Sequence, residues 1–351
     1  MTESPTAPAQ PGALMAAEIA EQPAVLRHVL EEAPEAIEQV AARVRAAAPR
    51  MVLLAARGTS DHACIYAKYL VETVLGLPAG LVSTSVYTTY GTRPRLDGVL
   101  WIVVSQSGGS PDLVASTTAA REAGALTVAL TNVADSPLAA AAELTLPMLA
   151  GPETSVAATK TYTASLLNLW LLITAIAGRP TDAAAAVPDH AEAALIANGV
   201  DDVIARYRFV DKLVTTSRGY AYPTARESAL KLMETCYLSA HAFSGADLLH
   251  GPLAMIDADR PVVTIVPEGP GGDALVPVLE RLRERGADVC LVAPPSVVGS
   301  DVRIDLPAAM DEQFAPIAQI IPLQRLALGM ATGRGYDPDR PRGLHKVTET
   351  F

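Results

Sequence analysis

Glu227, Lys231 and Glu234, in the stretch ESALKLMETCY, follow one another at intervals of four and three residues. On a helix that spacing puts all three on one face. Two carboxylates flanking an amine in a closed site can hold a proton and return it, as transfer between adjacent carbon atoms requires. Glu234 is the candidate for the shuttling carboxylate. A solvated stripe of ion pairs has the same spacing, so the pattern alone leaves both readings open.

Residues 103–112, VVSQSGGSPD, suggest a second kind of chemistry. An apolar run stops in Ser105, Gln106, Ser107, Gly108, Gly109 and Ser110, and Pro111 stands where a helix would begin. A helix start offers unpaired N–H groups and a partial positive charge, so a phosphate can be held there without lysine or arginine. The glycines allow close approach of the backbone, the hydroxyls can each donate a proton, and Pro111 has no N–H to lose. Ordinary helix capping by Ser110 is the other reading. A second polar turn, Gly58-Thr59-Ser60-Asp61, closes an earlier apolar run; two such turns facing one crevice favour phosphate. His250 in DLLHGPLAM could relay a proton as a neutral imidazole. Lys346, near the chain end, reads by itself as a solvated tail residue. His28, His62, His190 and His241 are left as structural.

These residues need elements to position them. Apolar runs at 51–55, 99–104, 125–130 and 144–146 lack alternation and are separated by helical segments, which indicates a parallel sheet covered on both faces. The pattern then recurs. PDLVASTTAAREAGALTVALTN from Pro111 is answered by GDALVPVLERLRERGADVCLVAP from Gly272, with Gly124 matched by Gly286. LLAARGTSDHACIYAKYLVE from Leu53 is answered by KLVTTSRGYAYPTARESALKLME from Lys212. The expected fold is therefore α/β, with two doubly wound parallel-sheet units at 49–185 and 200–335. RPTDAAAAVPDH reads as the connector. One or two amphipathic helices should form an arm over 14–48, after a disordered tail at 1–13. Residues 336–351 form a carboxyl-terminal tail expected to close the active site.

The 351 residues carry a net charge of −11, which argues against nucleic acid or an anionic membrane as partner. Half the residues are apolar but only 5% are aromatic, so the interior should be built from small aliphatic side chains. Cys64, Cys236 and Cys290 have no ligand-like spacing; they read as buried thiols in a reducing compartment, with no metal and no cofactor expected. The amino terminus lacks the pattern of a secretory signal. The longest apolar run, 166–177, is too short to span a bilayer, and a cytoplasmic location is the expectation.

SQSGGSPD resembles the phosphate loop of the sugar isomerase (SIS) domain family, and residues 51–178 and 208–331 resemble two such domains in tandem. MAAEIAEQPAVL at Met15, GPETSVAATK at Gly151, ESALKLMETCYLSAHAFSGADLLHGPLAMID at Glu227 and DRPRGLHKVT at Asp339 resemble the isomerase half of glucosamine-6-phosphate synthases. The resemblance implies that Glu234 is the base, arranged by Glu227 and Lys231. It implies that His250 opens the sugar ring in a neighbouring subunit's site, hence a homodimer, and that Lys346 forms an imine with the open ketose. Gly58, Thr59, Ser60, Ser105, Gln106, Ser107, Ser110, Val156 and Ala157 are the implied substrate contacts. Ala158 stands where that family usually has serine, and Gly343, His345 and one deletion after Lys346 alter the tail.

No cysteine precedes Cys64 to serve a glutaminase, so glutamine is not the expected ammonia donor. Deamination of glucosamine 6-phosphate to fructose 6-phosphate is the expected reaction. The alternatives are dehydration of N-acetylglucosamine 6-phosphate by loss of its 3-hydroxyl, and a non-catalytic sugar-phosphate sensor.

Overall fold

The first-half strands are β1 (Met51–Ala55), β2 (Ala79–Leu81), β3 (Val99–Ser105), β4 (Leu126–Thr131) and β5 (Leu144–Pro147). In this computed structural model, which describes residues 10–346, they form a parallel sheet in the order β2-β1-β3-β4-β5. The second half contributes β6 (Lys212–Ser217), β7 (Ser239–Ser244), β8 (Val262–Ile265), β9 (Val289–Ala293) and β10 (Arg303–Asp305), parallel in the order β10-β9-β8-β6-β7. β8 and β9 are buried at every residue, and β3 at every residue but Val99. Helices cover both faces of each sheet, which is why these runs show no alternation.

Two edge strands escape the sequence pattern. Ala79-Gly80-Leu81 carries a glycine and stays partly exposed, and Arg303-Ile304-Asp305 buries only its isoleucine. Each is held by register with one neighbour: Val52 opposite Ala79, and Leu291 opposite Arg303.

The arm contains three helices, Ala13–Ala20, Gln22–Glu32 and Pro34–Ala47, rather than one or two. Pro23 and Pro34 lie in first turns, where a missing N–H costs nothing, and each prevents the preceding helix from continuing. The expected connector is mostly ordered. It forms a 3-10 turn at Asp182–Ala186 and a helix at Val187–Leu195 that buries Val187, Ala191 and Ala194. Of the tail expected at 1–13, residues 1–9 lie outside the described residues.

The apolar run near 166–177 belongs to the helix Lys160–Ile176, buried at every residue through Ala175. It shares one continuous core with the arm, both sheets and the helix Ala315–Gly333. Among the described residues no helix is long and apolar enough to cross a membrane. Gln313 fastens the halves together: its carbonyl accepts from Tyr66 Oη at 2.7 Å, and its side-chain oxygen accepts from Trp170 Nε1 at 2.8 Å. The Trp170 and Phe314 rings lie 4.6 Å apart. Trp170→Ala removes both contacts and leaves a large void, with an expected loss of about 3–5 kcal/mol of stability. Urea unfolding checks this; a loss below about 1 kcal/mol would contradict the packing described.

Candidate active site

Two helices begin at the carboxyl ends of neighbouring strands. Gly58–Leu70 follows β1 and Pro111–Glu122 follows β3, and the residues of both turns line a cavity of about 320 Å3. Gly58, Thr59 and Ser60 form its first wall; Ser105, Gln106, Ser107 and Ser110 form its second. Gly108 N donates to Ser105 Oγ at 3.1 Å and Gly109 N to Ser107 Oγ at 3.2 Å. Each hydroxyl thus spends a lone pair on the loop and keeps its proton for an acceptor elsewhere. Ser110 stands at the N-cap position but makes no side-chain capping bond, so the capping reading is not what the loop adopts. Gly108 has φ +61°, and a Cβ there would come within 2.2 Å of Ser136 Oγ. Only glycine fits that position.

The cup is not uncharged, as the sequence reading had it. Arg57 also lines the cavity; its Nη2 lies 2.6 Å from Asp112 Oδ2, and its guanidinium contacts Thr84. The buried Asp112 offsets its charge.

The second half supplies the acid and base groups. Glu227, Lys231 and Glu234 share a face of the helix Tyr222–Cys236, and that face is docked on the first half rather than solvated. Glu227 and Lys231 are almost wholly buried, whereas Glu234 remains about one-fifth exposed and lines the cavity. Lys231 Nζ lies 2.6 Å from Glu234 Oε2 and 3.2 Å from Glu227 Oε1, and it donates to Thr59 Oγ1 at 3.1 Å. Thr59 Oγ1 in turn donates to Glu227 Oε1 at 3.0 Å. Burial alone would drive the Lys231 ammonium toward neutrality, but the carboxylates of Glu227 and Glu234 outweigh it and raise its pKa. Burial likewise pushes Glu227 up; Lys231, His62 and Thr59 outweigh it and bring it below the ordinary carboxylate value.

Part of the expected tail reaches the cavity, and residues 347–351 lie outside the described residues. Leu344, His345 and Lys346 line the cavity, and Lys346 Nζ donates to Glu153 Oε2 at 2.7 Å and to the Ser155 carbonyl at 2.6 Å. Glu153 also accepts from the backbone N–H groups of Thr159 and Thr161. Sequence reading missed it, since nothing in GPETSVAATK separates it from a surface glutamate. The arm completes this wall: Glu18, on Ala13–Ala20, accepts from the backbone N–H groups of Thr154 and Ser155.

Among the remaining expected site residues, Val156 lines the cavity, as does Ala158. Ala157, also expected as a contact, is buried beside these two and is not among the residues lining the cavity. His250 is exposed at the end of the short helix Gly245–Leu249 and does not line this chain's cavity. No cluster that could hold a metal occurs among the described residues. The second half does not repeat the cup. Gly271 N donates to Glu312 Oε1 at 3.0 Å, so the chain's own carboxylate fills the corresponding turn, and burial pushes that carboxyl group's pKa up.

The SIS domain family matches residues 47–175 and 207–332. Glutamine–fructose-6-phosphate aminotransferase [isomerizing] of Methanothermobacter thermautotrophicus is 37% identical over 342 residues, covering 95% of this chain and 56% of that protein. The chain thus spans little more than half of that relative. The solved C-terminal domain of glucosamine-fructose-6-phosphate aminotransferase from Francisella tularensis superposes with a TM-score of 0.85 at 28% identity, covering 93% of this chain and 98% of that one. Glucosamine-6-phosphate deaminase from Thermotoga maritima shares the fold, with a TM-score of 0.80 at 22% identity over 96% of this chain and all of that one.

The lowered pKa of Glu153 has a consequence for stability. Burial raises it, but Lys346 and the two backbone donors outweigh that effect, so the folded value lies below 4.5. The unfolded chain then binds the proton first. The stabilisation is fully present above about pH 4.5 and is lost as pH falls toward the lowered folded value. Glu153→Gln removes this dependence, so the acid limb of stability against pH should flatten. Denaturant midpoints between about pH 3 and 6 check it, and an unchanged limb would contradict the Lys346–Glu153 pair.

Proposed function

The chain belongs to the SIS domain family, and on that premise we propose that its cavity takes a phosphorylated amino sugar and removes the proton from C2. One juxtaposition carries the reading: the Glu234 carboxylate and the Lys346 amine share a single cavity with two hydroxyl-bearing helix starts. The ester phosphate is assigned to Ser105, Gln106, Ser107, Ser110 and the Gly58–Ser60 turn, where N–H and O–H donors face a ligand. An open-chain sugar held there extends toward Glu234.

With glucosamine 6-phosphate, Glu234 takes the C2 proton and returns it to C1. The resulting ketose imine adds water and releases ammonia, leaving fructose 6-phosphate. Lys231 holds Glu234 in place, and Glu227 holds Lys231. Ring opening is assigned to His250 of the partner subunit, because this chain's own His250 lies outside its cavity; a homodimer is therefore part of the proposal.

The position of Lys346 favours a second reading as well. Its amine is committed to Glu153 and Ser155, and an imine between lysine and the ketose would require it to leave both. Dehydration of N-acetylglucosamine 6-phosphate needs no such imine: Glu234 takes the C2 proton and the 3-hydroxyl departs as water. Ala158 lines the cavity and brings no hydroxyl there.

Incubation with each sugar separates the two. Ammonia and fructose 6-phosphate from the first support deamination; an unsaturated product from the second supports dehydration. In either case Glu234→Gln is expected to lower kcat about 10³-fold while the sugar phosphate still binds. Binding without turnover of any hexosamine phosphate would overturn both readings and leave a non-catalytic sensor.

A further inference from the structure

His62 has no role in the sequence reading, but the fold gives it a specific partner. It lies in the helix Gly58–Leu70, one turn past the phosphate-facing residues, with a side chain only 8% exposed. Its Nδ1 is 2.7 Å from Glu227 Oε2. Glu227 is fully buried, and its other oxygen already serves Thr59 and Lys231. Among the described residues, Oε2 receives its hydrogen bond from His62 alone. A carboxylate can only accept, so Nδ1 carries the hydrogen.

We propose that His62 is a positioning residue that sets the basicity of Glu234 through Glu227 and Lys231, without touching the substrate. The inference rests on the reading of Glu234 as the base. The Lys231 ammonium is shared between two carboxylates. Glu227 holds its share only while it is ionised, and a buried carboxylate stays ionised only when its oxygens are matched by donors. Removal of the His62 N–H leaves Oε2 buried without a donor, so Glu227 takes up a proton. Lys231 then pairs with Glu234 alone, and Glu234 becomes the weaker base.

The other charged and titratable groups around this relay are few. Asp61 interacts with His62, and Arg226 and Arg57 act on Asp61 in turn. Tyr162, on the helix Lys160–Ile176, faces Glu227 and has Tyr66 beside it. Burial drives the Tyr162 phenol well up in pKa, and its hydroxyl has no hydrogen-bond partner among the described residues, so it neither supplies Glu227 with a bond nor ionises. Glu153 and Lys346 line the cavity but pair with each other.

The test uses three substitutions in the full chain, assayed with whichever hexosamine phosphate is turned over. His62→Asn keeps a neutral N–H close to the position of Nδ1. His62→Leu keeps bulk but no donor, and His62→Gln moves its nitrogen toward the position of Nε2. His62→Leu is expected to lose about tenfold in kcat, the effect of one missing bond to a charged group, with KM little changed. Its acid limb of kcat/KM should move to lower pH, because a weaker base is deprotonated sooner. His62→Asn should keep most of the wild-type kcat and the wild-type limb. His62→Gln should behave like the leucine variant and takes its place if that variant does not fold. An unmoved limb in both His62→Leu and His62→Gln, a loss confined to KM, or equal damage in His62→Asn would each overturn the proposal. Full activity in Glu234→Gln would instead overturn the underlying reading of Glu234, a result distinguishable from any of these.

Discussion

The Lys231 ammonium is the constraint on which the rest of the structure depends. It is 99% buried; it pairs with the carboxylates of Glu227 and Glu234 and donates a hydrogen bond to Thr59. Removing one member of a buried pair typically costs about 3–5 kcal/mol, because the survivor is left charged without water. The carboxylates and the lysine come from the second half; Thr59 and His62 come from the first. The same charges that present Glu234 to the cavity therefore fix how the two halves dock. An error in that docking would expose or orphan Lys231, so correct assembly and a competent site depend on the same contacts.

The arm and the described part of the tail are bound into this arrangement by acidic side chains. Asp339 accepts from the backbone N–H groups of Leu14 and Met15, capping the first arm helix, which itself begins with no side-chain cap. That helix carries Glu18, which holds the 154–155 backbone, and the adjoining Glu153 holds Lys346. Tail, arm and loop thus form a closed circuit around one wall of the cavity. Gln22 extends it inward, donating to Gln324 Oε1 at 2.8 Å and accepting from Thr163 Oγ1 at 3.0 Å, all within the core. An interior built from small aliphatic residues gives few large side chains to fix orientation, and buried polar pairs of this kind supply the directionality.

Much of this was legible in the sequence, and what was not has physical reasons. The two turns with glycine and hydroxyl residues, and the repeat of strand, turn and helix, are local signals, and the fold follows them. The spacing of Glu227, Lys231 and Glu234 predicted a shared face but not its burial, since burial depends on a helix 150 or more residues away in the chain. His62 and Glu153 were invisible for the same reason: the partner of His62 lies 165 residues on, and that of Glu153 193 residues on. Arg57 was overlooked because the cup reads as complete without a cation. The edge strands Ala79–Leu81 and Arg303–Asp305 are set by pairing with a neighbour rather than by hydrophobic pattern, and the prolines that divide the arm were outweighed by its helical periodicity.

The central claim is spatial: the cup holds the ester while a carboxylate stands over the second carbon of an opened sugar. A crystal structure with a bound hexosamine 6-phosphate measures this directly. The account predicts phosphate oxygens within hydrogen-bonding distance of Ser105, Ser107 and the Gly58–Ser60 turn, with C2 roughly 3–3.5 Å from a Glu234 oxygen. A sugar phosphate bound outside that cavity, or one seated in it with Glu234 turned away from C2, would contradict the account.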